Sequence, residues 1–194
     1  MSFRLILATK NQDKIVEIQN LLSNLNISVV TLSEFPDAPN VVEDGKTLEE
    51  NAVKKAKIFG NFTGLPAVAD DTGLEVEYLN SKPGVLSSRY AGENATYSEN
   101  VEKLLSELEG VPWEQRHATF RCVVALYHQS ETRIVEGVCK GVITETPRGK
   151  GGFGYDPVFY VPEYGRTFAE MDLKLKNRIS HRGKAFFALK KLIE

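Results

Sequence analysis

Cysteine is nearly missing: the chain has two in 194 residues, Cys122 and Cys139. Both stand in apolar, strand-like stretches without C-x-x-C spacing. Nothing there supports a disulfide framework or a zinc site, and two reduced core thiols are expected. Long hydrophobic runs are missing as well. The longest near the N-terminus, Leu5 to Ala8, is too short for a signal peptide or a membrane span. A cytoplasmic protein that makes no membrane contact is expected. Positive charge is not in excess, since the formal net charge is −2. That argues against gripping a polymeric nucleic acid and points any nucleic-acid chemistry toward free nucleotides. Internal repeats, coiled-coil heptads and linkers are also lacking. What is present is an ordinary globular balance, 42% hydrophobic and 26% charged. Residues 1–194 suit a single domain, with room for two lobes.

The pattern along the chain alternates strand and helix at first. Phe3 to Ala8 reads as a strand, Thr9-Lys10-Asn11-Gln12 as a polar turn, and Ile15, Ile18, Leu21, Leu22 and Leu25 recur at helical spacing. A second strand is expected over Ile27 to Leu32. Thr47-Leu48-Glu49-Glu50 is a capping box that opens a helix with Leu48, Ala52, Ala56 and Phe59 inward, ending at Gly60. Pro66 to Ala69 reads as a short buried strand that stops at Asp70-Asp71-Thr72-Gly73, with a hairpin-like stretch on to Tyr78. Ser98 is the expected cap of a helix carrying Val101, Leu104, Leu105 and Leu108. Ala118 to Tyr127 is the longest strand candidate, and Arg133 to Cys139 should pair with it as an antiparallel hairpin. Thr167-Phe168-Ala169-Glu170 repeats the capping-box pattern and predicts a helix toward Asn177. Ser180 caps a last helix with Ala185, Phe186, Leu189 and Ile193. The fold class is therefore α/β with a mixed sheet flanked by helices.

Four clusters can carry chemistry. Thr9 to Lys14 lies at a helix N-terminus, where open amides and the helix dipole favour phosphate and Lys14 adds an ammonium; a capped helix with a solvated lysine is the plainer alternative. It is not a Walker A loop. Asp70-Asp71-Thr72-Gly73, with Glu43-Asp44 earlier, offers hard oxygens for Mg²⁺ and a carboxylate that can deprotonate water, or else a self-bonded turn. Gly151 to Pro157 allows close backbone approach. Phe153 and Tyr155 can sandwich a base, and Asp156 can accept from a ring N–H; inward-packed aromatics are the alternative. In Lys176 to Arg182, the cations His181 and Arg182 sit against a helix dipole, which suggests an anionic or carbonyl-bearing neighbour. His117 and His128 read as surface residues at strand ends.

Taken in order, these pieces resemble the inosine triphosphate pyrophosphatase family, the HAM1 or non-canonical purine triphosphate pyrophosphatases. The matching stretches are Thr9 to Lys14, Thr47 to Ala52, Ala69 to Leu74, Pro83-Gly84 with Ser88 to Gly92, Gly152 to Pro157 and Ile179 to Arg182. They span nearly the whole chain, and the ordered set is specific where each piece alone is weak. The resemblance implies Mg²⁺-dependent cleavage between the α and β phosphates of inosine, deoxyinosine and xanthosine triphosphates. It implies a cytosolic homodimer and an elongated mixed sheet in two lobes with the site in the cleft between them. Carried onto this chain, Thr9, Lys10, Asn11, Gln12, Asp13 and Lys14 bind phosphate, Asp71 is the proton acceptor and a metal ligand, and Glu43 is the second metal ligand. Thr72 contacts substrate. Phe153, Gly154, Tyr155, Asp156, Lys176, His181 and Arg182 form the base pocket, and Lys55 reaches phosphate. Lys10 departs from a glycine common in the family, and Thr72 from a serine.

Base choice then becomes a test of hydrogen-bond polarity. A C6 carbonyl accepts whereas the amino group of adenine donates, and Arg182, a donor only, favours the carbonyl. Two other readings compete: a Maf-like pyrophosphatase of different base preference, and a nucleotide-sensing module without turnover. Phe153, Tyr155 and the Ser180-His181-Arg182 run oppose the first, and Asp71 with Glu43 opposes the second.

Overall fold

In the computed structural model, residues 3–193 are described. Two compact units emerge, Met1–Asp71 with Cys122–Gly137 and Arg182–Glu194, and Thr72–Arg121 with Val138–His181.

The first unit grows from a strand–helix–strand step. β1 (Phe3–Leu7) leads into α1 (Gln12–Leu22), and β2 (Ile27–Thr31) returns parallel to β1, from Phe3 opposite Ile27 to Leu7 opposite Thr31. α2 (Leu48–Thr63) follows. β3 (Ala67–Val76) then starts parallel to β1, with Ile6 opposite Ala67 and Leu7 opposite Val68. The last helix, α5 (His181–Ile193), buries Ala185, Phe186 and Leu189 in a core with Leu5, Leu7, Ile18, Leu22, Val68 and Cys122. Full burial of each large apolar side chain in such a core contributes roughly 1.5–3 kcal/mol.

The second unit contains the far end of β3, with β4 (Lys82–Gly84) antiparallel to it, and α3 (Tyr97–Glu107). It also holds the start of β5 (His117–His128) and the end of β6 (Glu131–Ile143). β7 (Phe159–Val161), β8 (Arg166–Thr167) and α4 (Leu173–Ile179) complete it. Its core gathers Leu74, Leu104, Leu108, Phe159 and Phe168. The strands form one mixed sheet in the order β2-β1-β3-β5-β6-β7-β8, with β4 attached to β3. The mixed α/β class expected from the sequence holds.

Several expectations need correction. The Asp70-Asp71 pair does not end a short strand; it lies inside the ten-residue β3, because pairing to β1 at one end and to β4 at the other keeps the chain extended through Thr72-Gly73. α2 does not stop at Gly60. It runs to Thr63 and ends on Gly64, whose φ of 67° is the left-handed conformation that a helix terminator favours. Gly60 is there for space: a Cβ on it would sit 2.4 Å from Tyr127 Cδ1. The Thr47 cap holds, but Glu50 accepts from Lys46 N rather than from Thr47. α3 is capped by Thr96 with Glu99 in a reciprocal box, not by Ser98. The Thr167–Glu170 box opens only a single 3₁₀ turn, and Asp172 caps α4 separately. β6, at 13 residues, is longer than β5. A two-residue turn joins them, with Gln129 and Ser130 both at positive φ.

Candidate active site

The first group of site residues belongs to the first unit. Asn11 caps α1, its Oδ1 accepting from Lys14 N at 3.1 Å, while Thr9 Oγ1 accepts from Asn11 N at 3.2 Å. The loop after β1 is thus fixed by its own side chains, with the start of α1 presented as an anion-binding end. Gln12 and Asp13 are exposed in that first turn. Lys10 Nζ reaches Asn40 Oδ1 at 2.7 Å, toward the segment that carries Glu43.

Side chains on a strand alternate between faces, so consecutive carboxylates on β3 serve different partners. Asp70, fully buried, accepts from Lys14 Nζ at 3.0 Å and from Arg182 Nε and Nη2 at 3.4 Å; Cys122 Sγ lies 3.9 Å away. Glu17, one turn beyond Lys14, binds Arg182 Nη1 at 2.5 Å. Burial opposes the charge of Asp70, but Lys14, Arg182 and Lys55 outweigh it and hold the carboxyl well below its ordinary range. The same carboxylates keep Arg182 charged against its burial.

Asp71 faces α2. Its Oδ2 accepts from Asn51 Nδ2 at 3.1 Å and its Oδ1 from Lys55 Nζ at 3.3 Å. Lys55 Nζ also reaches Glu43 Oε1 at 3.1 Å and Asp70 O at 2.8 Å. Burial raises the Asp71 pKa and Glu43 adds to that, with Lys55 and Lys14 pulling the other way. Glu43, though its burial works against it, is lowered by Lys55 and Lys14. Lys55 is desolvated too, yet Asp71, Glu43 and Asp70 keep it protonated. Burial and the lysines between them therefore shift the two carboxylates in opposite directions. No three His, Cys, Asp or Glu residues are grouped to hold an ion among the described residues.

Asn51 is a site residue that sequence reasoning missed. Its Oδ1 accepts from Gly45 N at 2.8 Å, which ties the Glu43 segment to Asp71 through one buried amide. A Cβ on Gly45 would stand 2.6 Å from that oxygen. The available signal was spacing: Asn51 and Lys55 are four apart on α2 and share a face.

The second group belongs to the second unit. Gly152, at φ 69°, lets the loop fold onto Asp156, whose Oδ2 would be only 2.0 Å from a Cβ there. That oxygen accepts from Phe153 N at 2.8 Å and Lys176 Nζ at 2.5 Å. The ammonium lies 5.0 Å from the centre of the Phe153 ring and 5.8 Å from that of Phe168. Phe153 also packs against Tyr97, with ring centres 5.8 Å apart. His181 stacks on Phe120 at 4.4 Å and is buried. Gly154 takes a φ of 62° between Phe153 and Tyr155. Tyr155 is not the second half of an aromatic sandwich: its ring is in the core and its hydroxyl donates to Ser87 O at 2.9 Å. Thr72 is half-buried on β3. Phe153, Asp156 and Lys176 are therefore brought together, whereas Arg182 bonds to Glu17 and Asp70 of the first unit.

Residues 5–192 match the model of the Ham1 family. A dITP/XTP pyrophosphatase of Geobacter sulfurreducens is 54% identical over 188 residues, covering 96% of this chain and 94% of that protein. A dITP/XTP pyrophosphatase of Desulforamulus reducens is 52% identical, covering 98% and 94%. Among solved structures, a HAM1 protein from Coxiella burnetii superposes with a TM-score of 0.89 at 47% identity, covering 98% of each chain. Sequence and fold agree over nearly the full length, and the chain belongs to the Ham1 family.

Proposed function

We infer that this protein hydrolyses non-canonical purine nucleoside triphosphates, the dITP and XTP class, to the nucleoside monophosphate and pyrophosphate. The observation that carries this reading is Asp71, buried and oriented by Asn51 and Lys55 beside Glu43. The names of relatives at about half identity over nearly the whole chain supply the substrate class.

In the mechanism, a water oxygen attacks the α-phosphorus and its proton passes to Asp71. The bond from phosphorus to the α–β bridging oxygen breaks, and pyrophosphate leaves with the electron pair. Lys14 and the start of α1 meet the negative charge that grows on the leaving group, joined by Thr9, Asn11 and Lys55. Glu43 and Asp71 fit Mg²⁺, which accepts one or two carboxylates when substrate phosphates complete its shell. When bound there, the ion supplies charge neutralisation at the phosphates.

The purine is held by Phe153 through stacking and read by Asp156 and Lys176. Hypoxanthine and xanthine present an N1–H donor and a C6 carbonyl acceptor, and adenine presents the reverse. A carboxylate and an ammonium side by side match the first pattern. His181 belongs to the same pocket. Arg182 is bonded to Glu17 and Asp70, so Asp156 and Lys176 are the better placed readers of the base. The active form on this reading is a cytoplasmic homodimer.

Pyrophosphate release across a panel of triphosphates, with and without Mg²⁺, tests the reading. Fast turnover of dITP, ITP and XTP but not ATP supports it. Preference for a modified pyrimidine would favour a Maf-like enzyme, and binding without release would favour a sensor. Light scattering tests the dimer.

A further inference from the structure

Lys55 stands where Glu43, Asp71 and a backbone carbonyl converge. Its Nζ is 3.1 Å from Glu43 Oε1, 3.3 Å from Asp71 Oδ1 and 2.8 Å from Asp70 O. An ammonium has three N–H donors, and these three oxygens use all of them. The two carboxylates are the same ones assigned to the divalent cation. An ammonium and a divalent cation compete for them, because both carry positive charge and Lys55 and Asp71 are buried, where like charges repel more strongly than in water.

We propose that Lys55 is an internal competitor for the metal, which holds Glu43 and Asp71 in the metal-free enzyme and releases them when substrate phosphate offers it another anion. The proposal rests on the reading that Glu43 and Asp71 are the metal ligands. Two features suit it. The side chain of lysine is a flexible stem carrying a point charge, so it can swing without moving α2. Asn51, four residues earlier, keeps its bond to Asp71 Oδ2 whether or not Lys55 leaves Oδ1. The carboxylate is therefore not set loose when the ammonium departs. Metal and nucleotide become linked: each binds more tightly in the presence of the other, and by the same factor.

The test is Mn²⁺ binding to the whole protein, followed by electron paramagnetic resonance without nucleotide and again with a non-hydrolysable α,β-methylene analogue of dITP. Lys55→Met is expected to bind Mn²⁺ at least about tenfold more tightly than the wild type without nucleotide. The gain on adding the analogue is expected to be smaller in the variant. Lys54→Met removes the same charge from a half-buried neighbour that pairs with the exposed Asp44 at 2.5 Å, and should change affinity by less than about twofold. Lys55→Gln serves if Lys55→Met does not fold. If both Lys55 variants bind Mn²⁺ no better than the wild type while Glu43→Gln abolishes binding, the competitor role is overturned and the metal site stands. If Glu43→Gln and Asp71→Asn leave Mn²⁺ binding unchanged in the Lys55→Met background, the metal reading itself falls.

Discussion

The two groups of site residues solve the problem of buried charge in different ways. Around Asp70 and Asp71, carboxylates and cations compensate one another: Lys14, Arg182 and Lys55 face Asp70, Asp71, Glu17 and Glu43. Around Phe153, an ion pair, Lys176 with Asp156, is set among aromatic rings and bonded to the backbone. The first arrangement suits a ligand of high charge, since each cation already has a carboxylate and can trade it for phosphate. The second suits a flat, neutral ligand that brings one donor and one acceptor. On the function proposed above, charge density would separate a chemistry region from a reading region. Substitutions in the first should change turnover and stability, and substitutions in the second should change preference.

The largest effect is expected at Asp71. Asp71→Asn should lower kcat by about 10²–10⁴-fold, the scale of a lost general base, with KM for dITP little changed. Steady-state kinetics checks it, and near-normal kcat would remove Asp71 from proton transfer.

Next comes Asp70, whose loss leaves Lys14 and Arg182 without a shared carboxylate. Asp70→Asn should cost about 3–5 kcal/mol of stability, the usual penalty for breaking a buried ion pair from one side. Its pH dependence has a definite sign. The folded carboxyl is held below its ordinary value of 3.8, so the stabilisation is complete above that pH and declines as pH falls below it. Thermal unfolding of both proteins from neutral pH into acid should show a constant gap that narrows only below 3.8. A gap that closes at higher pH contradicts the assignment.

In the reading region, ITP should be preferred over ATP by at least about 10²-fold in kcat/KM, since reversed donors and acceptors leave buried polar groups unpaired. Lys176→Met should narrow that ratio by about tenfold while sparing the pH profile. An unchanged ratio would move discrimination elsewhere, with Arg182 the next residue to examine.

The smallest effect should come from Phe153→Ala, which is expected to weaken ITP and ATP alike by about 1–3 kcal/mol, the loss of one base–aromatic stack. Kinetics on both substrates separates this from a change in preference. If Phe153→Ala altered the ratio more than Lys176→Met did, stacking and reading would have been assigned to the wrong side chains.

Much of the chemistry region was legible because it follows local rules. The strand–loop–helix of Thr9 to Lys14, the Thr47 cap and the inward face of α2 all appear where spacing places them. The role of Asp70 was not legible, because Thr-Gly after two aspartates reads as a turn, while long-range pairing to β1 and β4 makes it strand. The partners of Arg182 were equally hidden, since Glu17 and Asp70 are 165 and 112 residues away in sequence. Tyr155 and Phe153 look alike in sequence around Gly154; only tertiary packing sends one ring to the core and leaves the other over Lys176.

The alternation of Asp70 and Asp71 on β3 has a consequence for how the gene can change length. A one-residue insertion or deletion between the β1-paired Val68 and Asp70 would turn each carboxylate to the opposite face, away from the partners it now has. The Gln129–Ser130 turn faces no such constraint, because the residues there carry none of the site. Length variants should therefore be tolerated at that turn and purged from the few residues before Asp70, even where the inserted residue is as small as alanine.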